Sequence, residues 1–161
     1  MALIAGLETY LTDHLAGATA GVELANKISS EHADTRFGPF LAELARGIAQ
    51  DKATLEEMMG RLGIQQSLLK QTTSWIGEKF SRLKLSETTT NSPDLKRLLE
   101  FEMLSLGIEG KLSMWRALIE VSHAHAELAA TDLAGLAKRA ESQRSALEDL
   151  RLQVARQALT S

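Results

Sequence analysis

Ser86-Glu87-Thr88-Thr89-Thr90-Asn91-Ser92-Pro93-Asp94 is the stretch on which the fold turns. The segment from Ser86 to Ser92 is polar and turn-forming with no apolar side chain, so it reads as a linker. Ser92, Pro93 and Asp94 then spell a helix start. The serine hydroxyl can cap the first free N–H groups, the proline gives up an N–H that the first turn does not need, and the carboxylate sits at the positive end of the helix dipole. The linker is too short to separate a pair of domains, so it divides one helical domain into halves.

Outward from this point, apolar residues recur at helical spacing on both sides. Toward the N-terminus, a first helix over about residues 3 to 30 has the stripe Leu7, Leu11, Ala18, Val22, Ala25 and Ile28. A second, about residues 37 to 62, carries Phe37, Leu41, Leu44, Ile48, Leu55, Met58 and Leu62. Pro39 falls at or just inside its start, and Gly63 suits the left-handed position after its end. A shorter helical stretch, about residues 65 to 84, holds Leu68, Leu69, Trp75, Ile76, Phe80 and Leu83.

Toward the C-terminus, a third long helix runs from Pro93 to about residue 121. A fourth, about residues 132 to 158, has Leu133, Leu136, Ala140, Leu147, Leu150 and Val154, with Thr131 as its expected cap. Between them Ser122-His123-Ala124-His125-Ala126-Glu127 contains neither glycine nor proline, so the spacing leaves the turn open.

Four long helices in two pairs with a longer middle connection predict an all-α, single-domain bundle over residues 1–161. The arrangement expected is ferritin-like, with a helical crossover between the second and third long helices; an up-down bundle with an extra helix is the alternative. The chain also resembles a group of uncharacterised bacterial ferritin-like proteins. The likeness is carried by His14-Leu15-Ala16-Gly17-Ala18-Thr19-Ala20-Gly21-Val22-Glu23-Leu24, by Gly77-Glu78-Lys79-Phe80-Ser81-Arg82-Leu83-Lys84-Leu85, and by Leu106-Gly107-Ile108-Glu109-Gly110-Lys111. It covers most of the chain and implies a fold, with no activity attached.

Composition narrows the function classes. A chain of 161 residues with 44% hydrophobic side chains can close one core without disulfides, and it has no cysteine to form them. Its net charge of −3, with both signs interspersed, argues against a general nucleic-acid binder. Lys79, Arg82, Lys84, Lys96 and Arg97 form a modest basic cluster that reads as a solvated face. The first residues lack a basic leader before an apolar run, and no long uncharged apolar run follows, so a cytoplasmic protein without membrane spans is expected.

A dinuclear iron or manganese centre in such a bundle needs a Glu from each of two helices and a Glu-x-x-His from each of the other two. The second helix offers Asp51-Lys52-Ala53-Thr54 and the fourth Glu141-Ser142-Gln143-Arg144, and neither supplies the histidine. Arg144 sets a permanent cation beside the ligand position. Helical projection turns Glu23, with Thr12 and Thr19, and Glu141 toward water. Asp51 instead follows the buried seam of Leu44, Ile48, Leu55 and Met58, and a carboxylate there needs a partner. His14 on the first helix is the expected one, in a buried polar pair with Asp51. Glu102, Glu109, Arg116 and Glu120 share a stripe of the third helix, which ends on Glu120-Val121-Ser122-His123. That stripe reads either as a charged face, with Arg116 paired to Glu120, or, together with Asp51, as an unusual site formed by Asp51, Glu102, Glu109, Glu120 and His123. Glu127 would join His123 if the helix continued.

No catalytic or cofactor-binding residue is assigned, and Gly107-Ile108-Glu109-Gly110-Lys111 lacks the spacing and preceding strand of a phosphate loop. Gly17 and Gly21 read as points of close helix approach. The third helix is apolar around most of its circumference, from Phe101 to Val121, which is more than one core requires. Either residues 65 to 84 cover the surplus, or a large monomeric core absorbs it, or a second subunit does, with Trp75, Phe80 and Trp115 as anchors of a homodimer. The resulting expectation is a non-catalytic helical scaffold or interaction protein without cofactor. The alternative is a metal-binding protein or di-metal oxidase with a degenerate site.

Overall fold

The computed structural model describes residues 2–66 and 91–160. Among them are four long α-helices and no strand: α1 (Ala2–Glu31), α2 (Gly38–Arg61), α3 (Pro93–Val121) and α4 (Leu133–Thr160). The all-α expectation holds, and each helix lies within a few residues of its predicted bounds. All but the first two residues of the stretch expected to be helical over 65 to 84, and most of the linker that follows, lie outside the described residues.

The helix ends show why the chain breaks where it does. Ser92 is extended, and its hydroxyl accepts a hydrogen bond from the Leu95 N–H at 3.3 Å, with Pro93 in the first turn and Asp94 behind it. At the end of α2, Gly63 takes φ +73°, the left-handed conformation that costs a glycine nothing. The Gly63 and Ile64 N–H groups then reach back to the carbonyls of Gly60 and Met59, at 3.1 and 2.9 Å, while Ile64 buries its side chain. Gly38 is required at the start of α2, because a Cβ there would collide with the Ala33 carbonyl. One cap differs from expectation: Asp132, not Thr131, caps α4, its carboxylate accepting from the Gly135 N–H at 3.0 Å. Thr131 instead accepts from Arg61.

Cross-helix contacts fix the directions. Phe37 at the start of α2 meets Phe101 near the start of α3, ring centroids 5.6 Å apart. Asp51 in mid-α2 meets Lys111 in mid-α3, and Arg61 at the end of α2 meets Thr131 beyond α3. Helices α2 and α3 are therefore parallel. Helix α1 is antiparallel to both, since its C-terminal His32 reaches Glu100 at the start of α3. Helix α4 runs back along α3, pairing Glu141, Arg144 and Arg151 with Arg116, Glu109 and Glu102 in reverse order.

One core joins the four helices. Leu11, Leu15, Ile28, Leu41, Leu55, Met58, Phe101, Ile108, Leu112, Trp115 and Leu118 are fully enclosed. Fully burying such side chains is worth about 1.5–3 kcal/mol each before entropy is counted. Helix α3 packs most broadly on α4 and also on α1. Trp115 has no exposed surface, so it belongs to this core and is not available as a homodimer anchor. Trp75 and Phe80 lie outside the described residues. The turn between α3 and α4 is made by two short 3-10 segments, Ser122–Ala124 and Ala126–Ala130, with Leu128 plugging the end of the core. The α-helix thus stops at Val121, and Glu127 is not one helical turn beyond His123. Among the described residues, no helix is long and apolar enough to cross a membrane.

Candidate functional site

Two polar clusters each hold one buried carboxylate, Asp51 at mid-bundle and Glu100 near the start of α3. At mid-bundle, Asp51 is 2% exposed. Its partner is not His14. The Lys111 ammonium donates to one carboxylate oxygen at 2.5 Å and the Arg139 guanidinium to the other. Lys111 also donates to the Gln143 side-chain oxygen at 2.6 Å, and Arg139 to that of Gln50 at 3.3 Å. Burial pulls the Lys111 ammonium below its ordinary pKa, against the opposing pull of Asp51. Gly47 leaves room for this network, since a Cβ there would sit 2.7 Å from the Gln143 amide.

His14 and Asp51 do line a common cavity of about 370 Å³ between α1, α2 and α3. His14 sets its ring edge against Tyr10, with centroids 4.6 Å apart, and burial lowers its pKa. Gly17, Gly21, Gly107 and Gly110 border this space. Among the described residues nothing lies within 4 Å of where a Cβ would stand at Gly21, Gly107 or Gly110, so these glycines widen the cavity. Among the described residues, no neighbouring helix closes on Gly21. Trp115 also lines the cavity, its indole N–H buried without a hydrogen-bond partner among the described residues.

The acidic stripe of α3 is not gathered into a site. Glu102 accepts from Arg151 at 3.0 Å, and Glu109 pairs with Arg144, both across the α3–α4 seam. Arg116 pairs with Glu141 at 2.6 Å and not with Glu120. Glu120 and His123 are not enclosed by the core, lying at the far end of α3 and just beyond it. Thr12, expected beside Glu23 on the polar face, is buried, whereas Glu23 is exposed as expected.

The second cluster is one that the sequence pattern did not single out. Glu31, His32 and Glu100 bring one donor atom each within 4.8 Å of one another, where the end of α1 meets the start of α3. Glu100 is 1% exposed, and its Oε2 lies 3.3 Å from His32 Nε2. Its Oε1 accepts from no N–H or O–H group among the described residues, and only a proton shared with the neighbouring Glu31 carboxylate would bond it; the Lys96 and Lys27 ammoniums stand 3.7 and 3.9 Å from it. Burial, and then the neighbouring Glu31 carboxylate, push the Glu100 pKa up to about 7 against the two lysines. Burial and the Arg97 charge lower that of His32. Near pH 7 the carboxyl is thus as readily neutral as ionised, beside an imidazole that favours its neutral form.

Compared with known proteins, the chain matches no family model, no curated protein and no solved structure. Its function is accordingly read from its own geometry.

Proposed function

We propose that this chain is a ferritin-like helical bundle acting as a non-catalytic scaffold or interaction protein, with an ion-pair network at mid-core in place of a dinuclear metal centre. Asp51 carries the reading. A dinuclear centre draws several carboxylates and imidazoles inward at mid-bundle. Here the carboxylate at that level is bonded by Lys111 and Arg139, both cations. A metal ion would have to displace both and then leave Lys111, 13% exposed, without its counter-charge. The residues at this level do not fit a metal pair.

The parallel course of α2 and α3 fits the ferritin-like assignment and rules out a simple four-helix up-down order, in which the two would be antiparallel; an up-down bundle with an extra helix between them would also make them parallel. The partner we propose is a second copy of the chain, meeting on the α3 face around Leu106, which is 58% exposed. A cytoplasmic setting belongs to the same proposal.

The test is metal content and mass on one set of samples. The protein is incubated anaerobically with iron(II) or manganese(II), desalted, and passed through light scattering before elemental analysis. The expected result is a dimer mass at high micromolar concentration, with a metal content that Asp51→Ala leaves unchanged. Retention of about two ions per chain that Asp51→Ala abolishes would overturn the non-catalytic reading. A monomer mass at that concentration would remove the dimer.

A further inference from the structure

We infer that Glu31, His32 and Glu100 form a mononuclear site for a divalent first-row transition ion of the zinc class, clamping the end of α1 to the start of α3. One imidazole and two carboxylates are a donor set that such ions take, with further positions left to water. The residues come from the ends of two helices. Glu31 closes α1 and His32 follows it, its N–H still bonding the Ile28 carbonyl at 3.1 Å, while Glu100 stands in the second turn of α3.

A cluster of acidic groups alone would mean little, because exposed carboxylates often gather without an ion. Glu100 makes this one different. It is 1% exposed and packed beside Phe101, yet one of its oxygens accepts from no N–H or O–H group among the described residues. A buried acceptor left this way loses its solvation without compensation. The Lys27 and Lys96 ammoniums stand too far off for hydrogen bonds to it, so they balance charge without occupying the lone pairs. His32 is held at the cluster by Phe101, whose ring meets the imidazole edge-on with centroids 6.2 Å apart. The second carboxylate, Glu31, is on a side chain 34% exposed, already has an oxygen within 4.8 Å of the other two donor atoms, and pairs with Lys27 and Lys96 at 3.7 Å each.

The opposing charges are Lys27, Lys96 and Arg97. Lys27 and Lys96, 40% and 36% exposed, pair with Glu31 as well as with Glu100, so an arriving ion competes with both for the two carboxylates. The Arg97 guanidinium stays engaged with Asp94 at 3.4 Å and lies over the Phe37 ring. The imidazole presents to the ion the nitrogen that now faces the Glu100 carboxylate.

The full chain, stripped with chelator, is titrated with zinc(II) by isothermal calorimetry at pH 7.5, with magnesium(II) as the contrasting ion. One zinc per chain is expected, with magnesium bound far more weakly because it prefers an all-oxygen shell. Glu100→Gln and His32→Gln should each weaken zinc binding by about tenfold or more, taking the effect of second-sphere changes as the lower bound. Asp51→Ala and Glu109→Gln should leave it intact, which separates this inference from the mid-core reading. Glu31→Gln changes a partly exposed side chain, so it keeps the test open if either buried variant fails to fold. Cobalt(II) should also give visible absorption bands in the unsubstituted protein that His32→Gln shifts. The site is overturned if zinc does not bind, if Glu31→Gln and Glu100→Gln both retain full affinity, or if magnesium binds equally well.

Discussion

Asp51 and Glu100 are both carboxylates about as buried as any side chain in this bundle, and their surroundings treat them in opposite ways. Asp51 receives a direct bond from a cation on each oxygen, from α3 and from α4, so the charge is compensated in place. Glu100 has two ammoniums nearby, but at 3.7 and 3.9 Å, and a second carboxylate beside it. Distance makes the difference. Charge-assisted hydrogen bonds offset desolvation, whereas looser ion pairs at a half-exposed rim do so only in part. The mid-bundle cluster is consequently a finished structural network, and the cluster at the start of α3 is one that still favours a proton or an ion.

The strongest way to break this contrast is to remove Asp51. Asp51→Ala strands Lys111 inside the bundle, and stability should fall by about 3 kcal/mol, the low end for a broken buried pair because Arg139 retains access to water. Combining Asp51→Leu with Lys111→Met should recover most of that loss, since apolar replacements of similar size often match a buried ion pair. Urea unfolding of the single and double variants checks this. A loss under about 1 kcal/mol in the single variant would mean that the network adds little.

Glu100 gives the next largest effect, and a pH-dependent one. Its folded pKa of about 7 exceeds the ordinary 4.5, so the folded state holds the proton more tightly than the unfolded chain does. The favourable contribution is present in full below pH 4.5 and is lost as pH rises through 7. His32 acts in the opposite sense: its lowered pKa gives a contribution present above 6.5 and lost as pH falls. Glu31, Lys27, Lys96 and Arg97 face the same cluster, so the wild-type curve alone mixes several groups. The stability of metal-free wild type minus that of Glu100→Gln should therefore decline by about 2 kcal/mol from pH 4.5 to roughly one unit above the folded pKa of about 7, then level off. A flat difference from urea midpoints across that range would place Glu100 on the same footing as Asp51.

The long elements were legible because local signals agree with one another. Ser92-Pro93-Asp94 and Gly63 mark helix ends by backbone chemistry that needs no tertiary partner. Asp51 was legible as a buried carboxylate, from its phase with Ile48 and Leu55, but its partner was not. Lys111 carries the same signal: Leu104, Ile108, Lys111 and Trp115 follow a four-three-four spacing, which sets a lysine on the most buried line of α3. His32 likewise stands one turn after Leu24 and Ile28 in phase. Glu100 precedes Leu104 by one turn, beside Phe101. The periodicity thus held each clue singly. That residues 31, 32 and 100 meet depends on α1 and α3 being antiparallel, which the pattern within one helix does not contain. Arg139 was harder still, because it lies to the side of the Ala140 and Leu147 stripe and reaches Asp51 by its length.

The smallest expected effect sharpens the contrast from the outside. The pairs Glu109–Arg144 and Glu102–Arg151 join α3 to α4, as Asp51–Arg139 joins α2 to α4, yet Glu109 and Arg144 remain 42% and 47% exposed. Water solvates both partners whether or not they meet, and holding two long side chains together costs rotamer freedom, so such a pair is worth at most about 1 kcal/mol. Glu109→Gln should lower stability by no more than that, and about 0.5 M salt should erase most of the difference, because screening acts on exposed charges first. The same salt should leave most of the Asp51→Ala loss in place. If Glu109→Gln instead costs as much as Asp51→Ala and resists salt, the acidic stripe of α3 is more than a solvated seam, and its carboxylates must be engaged by something that water does not compete with.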